Sequence, residues 1–384
     1  MDACRNITSH DPSLYTLYYK LKKIVHISLL LMSMPAIVAQ AQESDTLGLE
    51  EKKAQAKISN YNFLQQTLTY SALSHVSPPG CELGPIQAPY ILSADVIPQF
   101  VLGGTWTRFT AHLTPRYKVR ILRDTSSPVR TPSFMPGATV FYPIKRTKPG
   151  DLKIKYFSVS FFHHSNGQDG EEINDDGTIN TNNGNFSTNY LEPAFHFRQR
   201  YNNAPAQKKS EDDFICDDGY TGYREWYART GIEIYLNTTE ALRSSYGNVR
   251  LNLTGGYIWV SNYCDFITES KDGKKRKKQV GDSYLRESFR IVGNITLIGG
   301  GRDQGLSDFA HRINADIQGY YRIPSSPNSS VFVGVGYVGS DTYNIYYQDN
   351  YFFVRAGIAL GFFVAPDIVG SKRPNKVSEK YLKE

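Results

Sequence analysis

Two groups able to do nucleophilic and acid–base chemistry, His163 and Ser165, stand two residues apart at the end of an alternating stretch, Lys153 to Gly167. Side chains along a strand alternate faces, so Phe157, Val159, Phe161, His163 and Ser165 share one face. Tyr156, Ser158, Ser160 and His164 share the other. The potential nucleophile and its base thus occupy the apolar face, which suits chemistry on an apolar substrate. Serine hydrolysis also needs a third group that holds the imidazole in the useful tautomer. Downstream, Asn189 opens a second apolar face that continues through Leu191, Pro193, Phe195 and Phe197. If these two stretches form an antiparallel hairpin, His163, Ser165 and Asn189 meet at one rim, pointing outward. An amide oxygen can accept the imidazole N–H without placing a full charge beside lipid. The structural alternative is an interface histidine with Ser and Asn bonded to loop backbone.

The elements that must position these groups are strands. The chain has 384 residues, with 27 Tyr, 20 Phe and 31 Gly. Lys20, Lys22 and Lys23 precede a short apolar run, Ile24 to Val38, and Ala39-Gln40-Ala41 follows, as in an export signal cleaved before Gln42. Downstream no run reaches the roughly 18 apolar residues of a spanning helix. Alternation recurs near 90–102, 105–114, 116–123, 137–144, 152–165, 187–199, 223–236, 248–260, 283–298, 313–321, 330–339 and 352–362. Apolar-out, charged-or-glycine-in patterning over an even number of strands predicts an all-β fold, a transmembrane antiparallel β-barrel of about 12 strands. A soluble β-sandwich is the competing architecture. The expected organisation is an N-terminal extension and signal peptide over 1–41, a periplasmic segment over 42–88 with a helix near 50–66, the barrel over 89–365, and a polar tail over 366–384. Export and barrel together place the chain in a bacterial outer membrane.

The remaining features carry less chemistry. Glu172, Asn174, Asp176 and Gly177 echo a calcium loop, but Asn183 stands where its bidentate Glu belongs, so the segment reads as a solvated loop. Lys274 to Lys278 is an unbroken basic run, read as a mobile loop that could touch anionic lipid. Nothing else points to nucleic acid. Cys81, Cys216 and Cys264 lack zinc-like spacing and allow one disulfide. His112, His196 and His311 read as strand or interface residues.

His163-His164-Ser165-Asn166-Gly167, followed by Asn189 on the next strand, resembles the active-site motif of the outer-membrane phospholipase A family. Ser126-Ser127-Pro128-Val129-Arg130 with Pro136, and Gly339-Ser340-Asp341-Thr342-Tyr343-Asn344-Ile345-Tyr346-Tyr347, are similar to two further motifs of that family in the same order. The resemblance spans about 105–363. It implies a phospholipase A1/A2 that hydrolyses glycerophospholipid acyl esters, with Ser165 as nucleophile, His163 as general base and Asn189 as orienter. It also implies an oxyanion contact from the Gly167 backbone and a Ca2+ cofactor at the interface of an active homodimer. Ser126 of the neighbouring copy and Gln168 would be calcium ligands. The loop before Asn189 is longer than the family's, and the chain continues past the last strand. A lipid A deacylase is the nearest enzymatic alternative, and a non-catalytic porin or transport barrel the nearest from another class.

Overall fold

The computed structural model describes residues 49–364, apart from 70–71, 79–81, 84–89, 104–106, 123–131, 146–151, 181, 203–221, 244–245, 272–273, 301–308, 324–328, 342–349 and 362. The signal and tail assignments, the loop around Ser126 and the residues Cys81 and Cys216 lie outside them.

The long staves are β5 (Thr110–Leu122), β6 (Ser133–Pro143), β7 (Lys153–Ser165), β8 (Ser187–Asn202), β9 (Gly222–Thr238), β10 (Val249–Lys271), β11 (Lys274–Gly299), β12 (Ile313–Arg322), β13 (Ser329–Val338) and β14 (Tyr351–Leu360). Each pairs antiparallel with the next. Two shorter staves close the ring. β1 (Ser74–Ser77) pairs with β14 on one side and β3 (Tyr90–Val96) on the other, and β3 pairs with β5. β4 (Gln99–Leu102) continues the β3 stave past a break at Ile97 and Pro98 and also pairs with β5. Two dipeptide strands, β2 (Glu82–Leu83) against β14 and β15 (Phe363–Val364) against β4, add to the seam. The result is a closed antiparallel barrel of twelve staves.

Twelve is the expected number, but the staves are assigned differently. The stretches 105–114 and 116–123 are one strand, β5, running through Pro115. Pro115 lies between the β5 residues that pair with β4 and those that pair with β3, so its missing N–H falls where the neighbouring stave is broken. The twelfth stave is β1, which belongs to the barrel sheet although it precedes the expected boundary at residue 89. Its four residues are too short to announce themselves by alternation.

Alternation sorts the side chains as expected for a wall between lipid and water. Leu113, Val140, Phe161, Phe195, Ile295, Ile317, Val333 and Phe352 face outward and are exposed, Phe352 at 73%. Ser158, Ser160, Glu192, Arg198, Glu225, Arg250, Arg290 and Gln318 face inward and are buried. The lumen also receives the second half of helix α1 (Leu49–Thr69). Phe63 packs on Ile154 and Tyr156, with its ring edge-on to Tyr156 at 5.5 Å, and Leu64 packs on Val101. Arg198 Nη1 donates to the Gln66 carbonyl at 2.7 Å while its guanidinium pairs with Glu225. Thr67 Oγ1 meets His112 Nε2 at 3.2 Å, and His112 Nδ1 meets Gln99 Oε1 at 3.0 Å. His112 is therefore a lumen residue that ties α1 to the wall.

Arg198 holds both a wall carboxylate and a helix carbonyl, so its loss should be felt twice. Breaking a buried pair on one side costs about 3–5 kcal/mol. Arg198→Ala is expected to lower the urea midpoint of barrel unfolding and to speed tryptic cleavage at the exposed Lys57. Unchanged cleavage would show that the helix is held without this contact.

Candidate active site

The site lies at the rim opposite α1, where β7 ends and β8 begins. Antiparallel register sets His163 directly across from Asn189 and Ser165 across from Ser187. Such pairs bring Cβ atoms to about 5 Å, within reach of one hydrogen bond between side chains. That bond is present: His163 Nδ1 and Asn189 Oδ1 are 2.9 Å apart. With Nδ1–H donating to the amide oxygen, Nε2 is left as the basic nitrogen. Ser165 shares the outward face at the same rim and is half-buried. No hydrogen bond joins it to His163 among the described residues. Contacts of this kind often tighten only when substrate binds.

The inner face of the same hairpin carries an aromatic stack at this end. Phe162 stacks on Tyr190 at 5.5 Å, Tyr190 meets Tyr235 at 5.4 Å, and Tyr235 meets Tyr246 edge-on at 5.3 Å. Arg250 lies over the Tyr246 ring at 4.4 Å. His164, the other histidine of the motif, is buried against the Tyr246 hydroxyl at 3.4 Å. Catalysis through His164 would thus open to the lumen, whereas His163 opens outward. The aromatic backing fixes where His163 and Ser165 stand.

Asn166 is the residue that sequence reasoning passed over. It is wholly buried, its Nδ2 donates to the Gly184 carbonyl at 2.7 Å, and its Oδ1 accepts from Phe186 N–H at 3.0 Å. Its own N–H donates to the Phe186 carbonyl at 3.1 Å. One side chain therefore closes the 167–186 loop at its base and sets the exit of β7 against the entry of β8. Phe186 anchors the same junction, packing with Leu242 of α2 (Glu240–Arg243) and Tyr246. An Asn flanked by a candidate nucleophile and a glycine was the available signal.

Gly167 adopts φ = 64°, a left-handed conformation that side chains resist. A Cβ there would also come within 2.8 Å of the Phe134 ring. Both effects shape the backbone directly after Ser165. Gly167→Ala is expected to slow labelling of Ser165 by a serine-directed fluorophosphonate at least tenfold with the barrel intact, checked by heat-modifiable gel mobility. Wild-type labelling in that variant would remove Gly167 from the site.

Of the implied metal ligands, Ser126 lies outside the described residues. Gln168 is half-buried on the site rim, with its N–H 3.5 Å from Asn166 Oδ1. Among the described residues no group of three or more His, Cys, Asp or Glu could hold a metal. The described residues alone therefore do not make a calcium site at Gln168; a hard cation there would need further oxygen ligands from elsewhere. In the loop, Asp176 Oδ1 accepts from the Thr178 hydroxyl at 2.5 Å and its N–H at 3.0 Å, which holds the carboxyl below the usual carboxylate range. Asn183 Oδ1 is taken by Asn180 Nδ2 at 2.8 Å. These are turn contacts.

The motif at Gly339 to Asp341 serves the lumen. Arg120 Nη1 and Asp341 Oδ2 are 2.6 Å apart, both nearly inaccessible, and the Tyr351 hydroxyl donates to the same oxygen at 2.7 Å. This cluster ties β5 to the connection leading into β14. His196 also faces the lumen, between Ser158 and Tyr227, and His311 lies against the Gly339 carbonyl. Cys264 is disulfide-bonded.

Fold and rim together define a closed antiparallel barrel with a Ser, a His and an Asn gathered on its apolar outer face. Among solved structures, the chain is similar to the Salmonella typhi outer membrane phospholipase (OMPLA) dimer with bound calcium, at 11% identity, a TM-score of 0.43, and coverage of 79% of this chain and 97% of that one. It is similar also to outer membrane phospholipase A from Escherichia coli, at 11% identity and a TM-score of 0.41, covering 80% and 98%. No family model matches the chain, and no curated protein matches it.

Proposed function

We propose that this chain is an outer-membrane phospholipase that hydrolyses acyl esters of glycerophospholipids from the lipid-facing side of its barrel. The observation that carries this reading is the His163 Nδ1–Asn189 Oδ1 bond on an outward apolar face that ends in Ser165. In this mechanism Asn189 accepts from Nδ1 and leaves Nε2 as the base, and substrate binding brings Nε2 to the Ser165 hydroxyl. His163 then takes the hydroxyl proton as Ser165 Oγ attacks the ester carbonyl, and returns it to the departing glycerol oxygen. Water hydrolyses the acyl-serine by the same route. The Gly167 N–H, held by the left-handed turn, serves as oxyanion donor. An acyl chain reaches Ser165 without leaving the bilayer, because Phe161 and Phe195 extend the same face into the hydrocarbon layer.

The porin alternative is disfavoured by the lumen, where α1 and the Arg198–Glu225 pair fill one end and the remaining cavity is about 600 Å3. A lipid A deacylase shares the serine–histidine chemistry but is not favoured by any contact here. Purified protein in detergent micelles, offered phosphatidylethanolamine and lipid A in parallel, tests the choice. Fatty-acid release from lipid A alone would overturn the phospholipase reading.

Calcium and dimerisation belong to the same proposal. When bound, the cation would polarise the ester carbonyl, with Gln168 and Ser126 of the neighbouring copy among its ligands. Because neutral oxygens hold calcium weakly, chelator is expected to reduce turnover to background while heat-modifiable mobility stays unchanged. Ser126→Ala should raise the calcium concentration needed for half-maximal activity. Full turnover in excess chelator would rule the ion out.

A further inference from the structure

Ser165 has two neighbours in its own rung of the wall. On the β6 side it faces Phe134, and on the β8 side Ser187. Residues directly opposite in an antiparallel ladder point to one face, with Cβ atoms about 5 Å apart. Both neighbours therefore share the outward face with the nucleophile. The Phe134 ring leans over the turn at Gly167, where an added Cβ would meet it at 2.8 Å, and Tyr117 stands edge-on to it at 5.8 Å. That flank of Ser165 is aromatic and offers no hydrogen-bond donor. The β8 flank offers a hydroxyl.

Ser187 is fixed through its backbone. Its N–H donates to Thr239 Oγ1 at 2.8 Å, and its carbonyl accepts from the Thr239 hydroxyl at 3.0 Å and the Thr239 N–H at 2.9 Å. The residue before it, Phe186, is gripped by Asn166 through both its N–H and its carbonyl. Gly167 follows Asn166 and Ser187 follows Phe186, so the two flank one fixed rung at the rim. The Ser187 hydroxyl itself makes no hydrogen bond among the described residues, and the residue is half-buried. His163 and Asn189 stand opposite each other one outward rung further into the wall. Base and orienter thus lie on the membrane side of Ser165, the Gly167 turn on the rim side, and Ser187 level with the nucleophile.

We infer that the Ser187 hydroxyl is a second donor to the oxyanion, beside the Gly167 N–H. The inference rests on the ester hydrolysis proposed above for Ser165. As Ser165 Oγ bonds to the carbonyl carbon, the π pair of the carbonyl moves onto its oxygen. His163 returns its proton to the departing glycerol oxygen, so that group points toward the His163 rung. The carbonyl oxygen is left the opposite quadrant, between Gly167 and Ser187, because the Phe134 ring closes the other flank. Ser187 donates its O–H to that oxygen and keeps its proton throughout; the bond weakens again when the carbonyl re-forms. A donor aimed where charge develops stabilises the transition state more than the bound substrate, and so acts on kcat.

The test is steady-state hydrolysis of phosphatidylethanolamine micelles, across a calcium series, by the full chain carrying Ser187→Ala, Ser187→Val or Ser187→Thr. In the alanine and valine variants kcat is expected to fall about a hundredfold at saturating calcium, as for loss of one oxyanion donor, with KM within about threefold of wild type. The threonine variant keeps a hydroxyl and should recover to within about tenfold of wild type. Inactivation by a fluorophosphonate should slow in the same order, since its phosphoryl oxygen takes the oxyanion position. Threonine and valine have nearly the same shape, so this pair separates the hydroxyl from packing even where the alanine variant loses heat-modifiable mobility. Equal kcat for the threonine and valine variants would overturn the inference. A defect that disappears as calcium is raised would overturn it too, and make Ser187 a metal ligand. Wild-type kcat in Ser187→Ala beside an inactive Ser165→Ala protein would remove Ser187 and leave the serine–histidine chemistry standing. Turnover that survives Ser165→Ala would instead sink the reading beneath the inference.

Discussion

Ser165→Ala protein is expected to fold, to migrate as a heat-modifiable barrel, and to release fatty acid from phospholipid micelles several orders of magnitude more slowly than wild type. Losing the nucleophile of such a triad costs about 10^6 in the best-studied case, because its partners then have nothing to activate. Folding should survive, since Ser165 is half-buried at a rim and pairs through its backbone with Ser187. A fluorophosphonate ester should label wild type at Ser165 and leave the variant unlabelled. Labelling is a sharp discriminator because a second serine–histidine contact exists in the lumen, Ser158 Oγ to His196 Nε2 at 2.8 Å. Turnover of the variant within tenfold of wild type, or labelling that moves to Ser158, would mean the outward rim is not where the chemistry occurs.

The outward rim was legible because period-2 alternation is a backbone property: once β7 is a strand, His163 and Ser165 must share a face with Phe161. The same rule exposes the staves one by one, since lipid outside and water inside impose opposite chemistry on alternate residues. It fails where a segment is too short or is not a stave. Ser74–Ser77 has too few residues for a pattern, and its place is set by edges that β14 and β3 leave open. The position of α1 depends on Arg198 and Glu225, which are distant in sequence and read singly as ordinary lumen charges. The basic run Lys274 to Lys278 reads as a loop because its charge suggests solvation, whereas its backbone pairs with β10. The better signal in the sequence is the Asp-Gly dipeptide at 272–273, a pair favoured in hairpin sequences. Asn166 shows the opposite limit: its type was visible, but the carbonyl and amide it satisfies lie across a loop whose path alternation does not describe.

His163→Ala should be as damaging as loss of Ser165, whereas Asn189→Ala should cost roughly one to two orders of magnitude less, because an orienter fixes tautomer and aim without moving a proton. The register makes the comparison clean. His163 and Asn189 are opposite one another in the ladder, so truncating Asn189 removes the 2.9 Å bond and leaves the hairpin's backbone pairing in place. Asn189→Asp keeps an acceptor for Nδ1–H and should retain more turnover than Asn189→Ala, less than wild type if the added carboxylate is disfavoured beside lipid. The insertion before Asn189 offers a built-in control. Asn182 donates its N–H to Asn180 Oδ1, and Asn183 Oδ1 accepts from Asn180, so both belong to the turn of the loop. Alanine at either should leave turnover within a few-fold of wild type, as expected of exposed loop positions. Should Asn183→Ala prove as damaging as His163→Ala while Asn189→Ala is silent, the orienter would lie in the inserted loop, and the rim would have to rearrange before it could act.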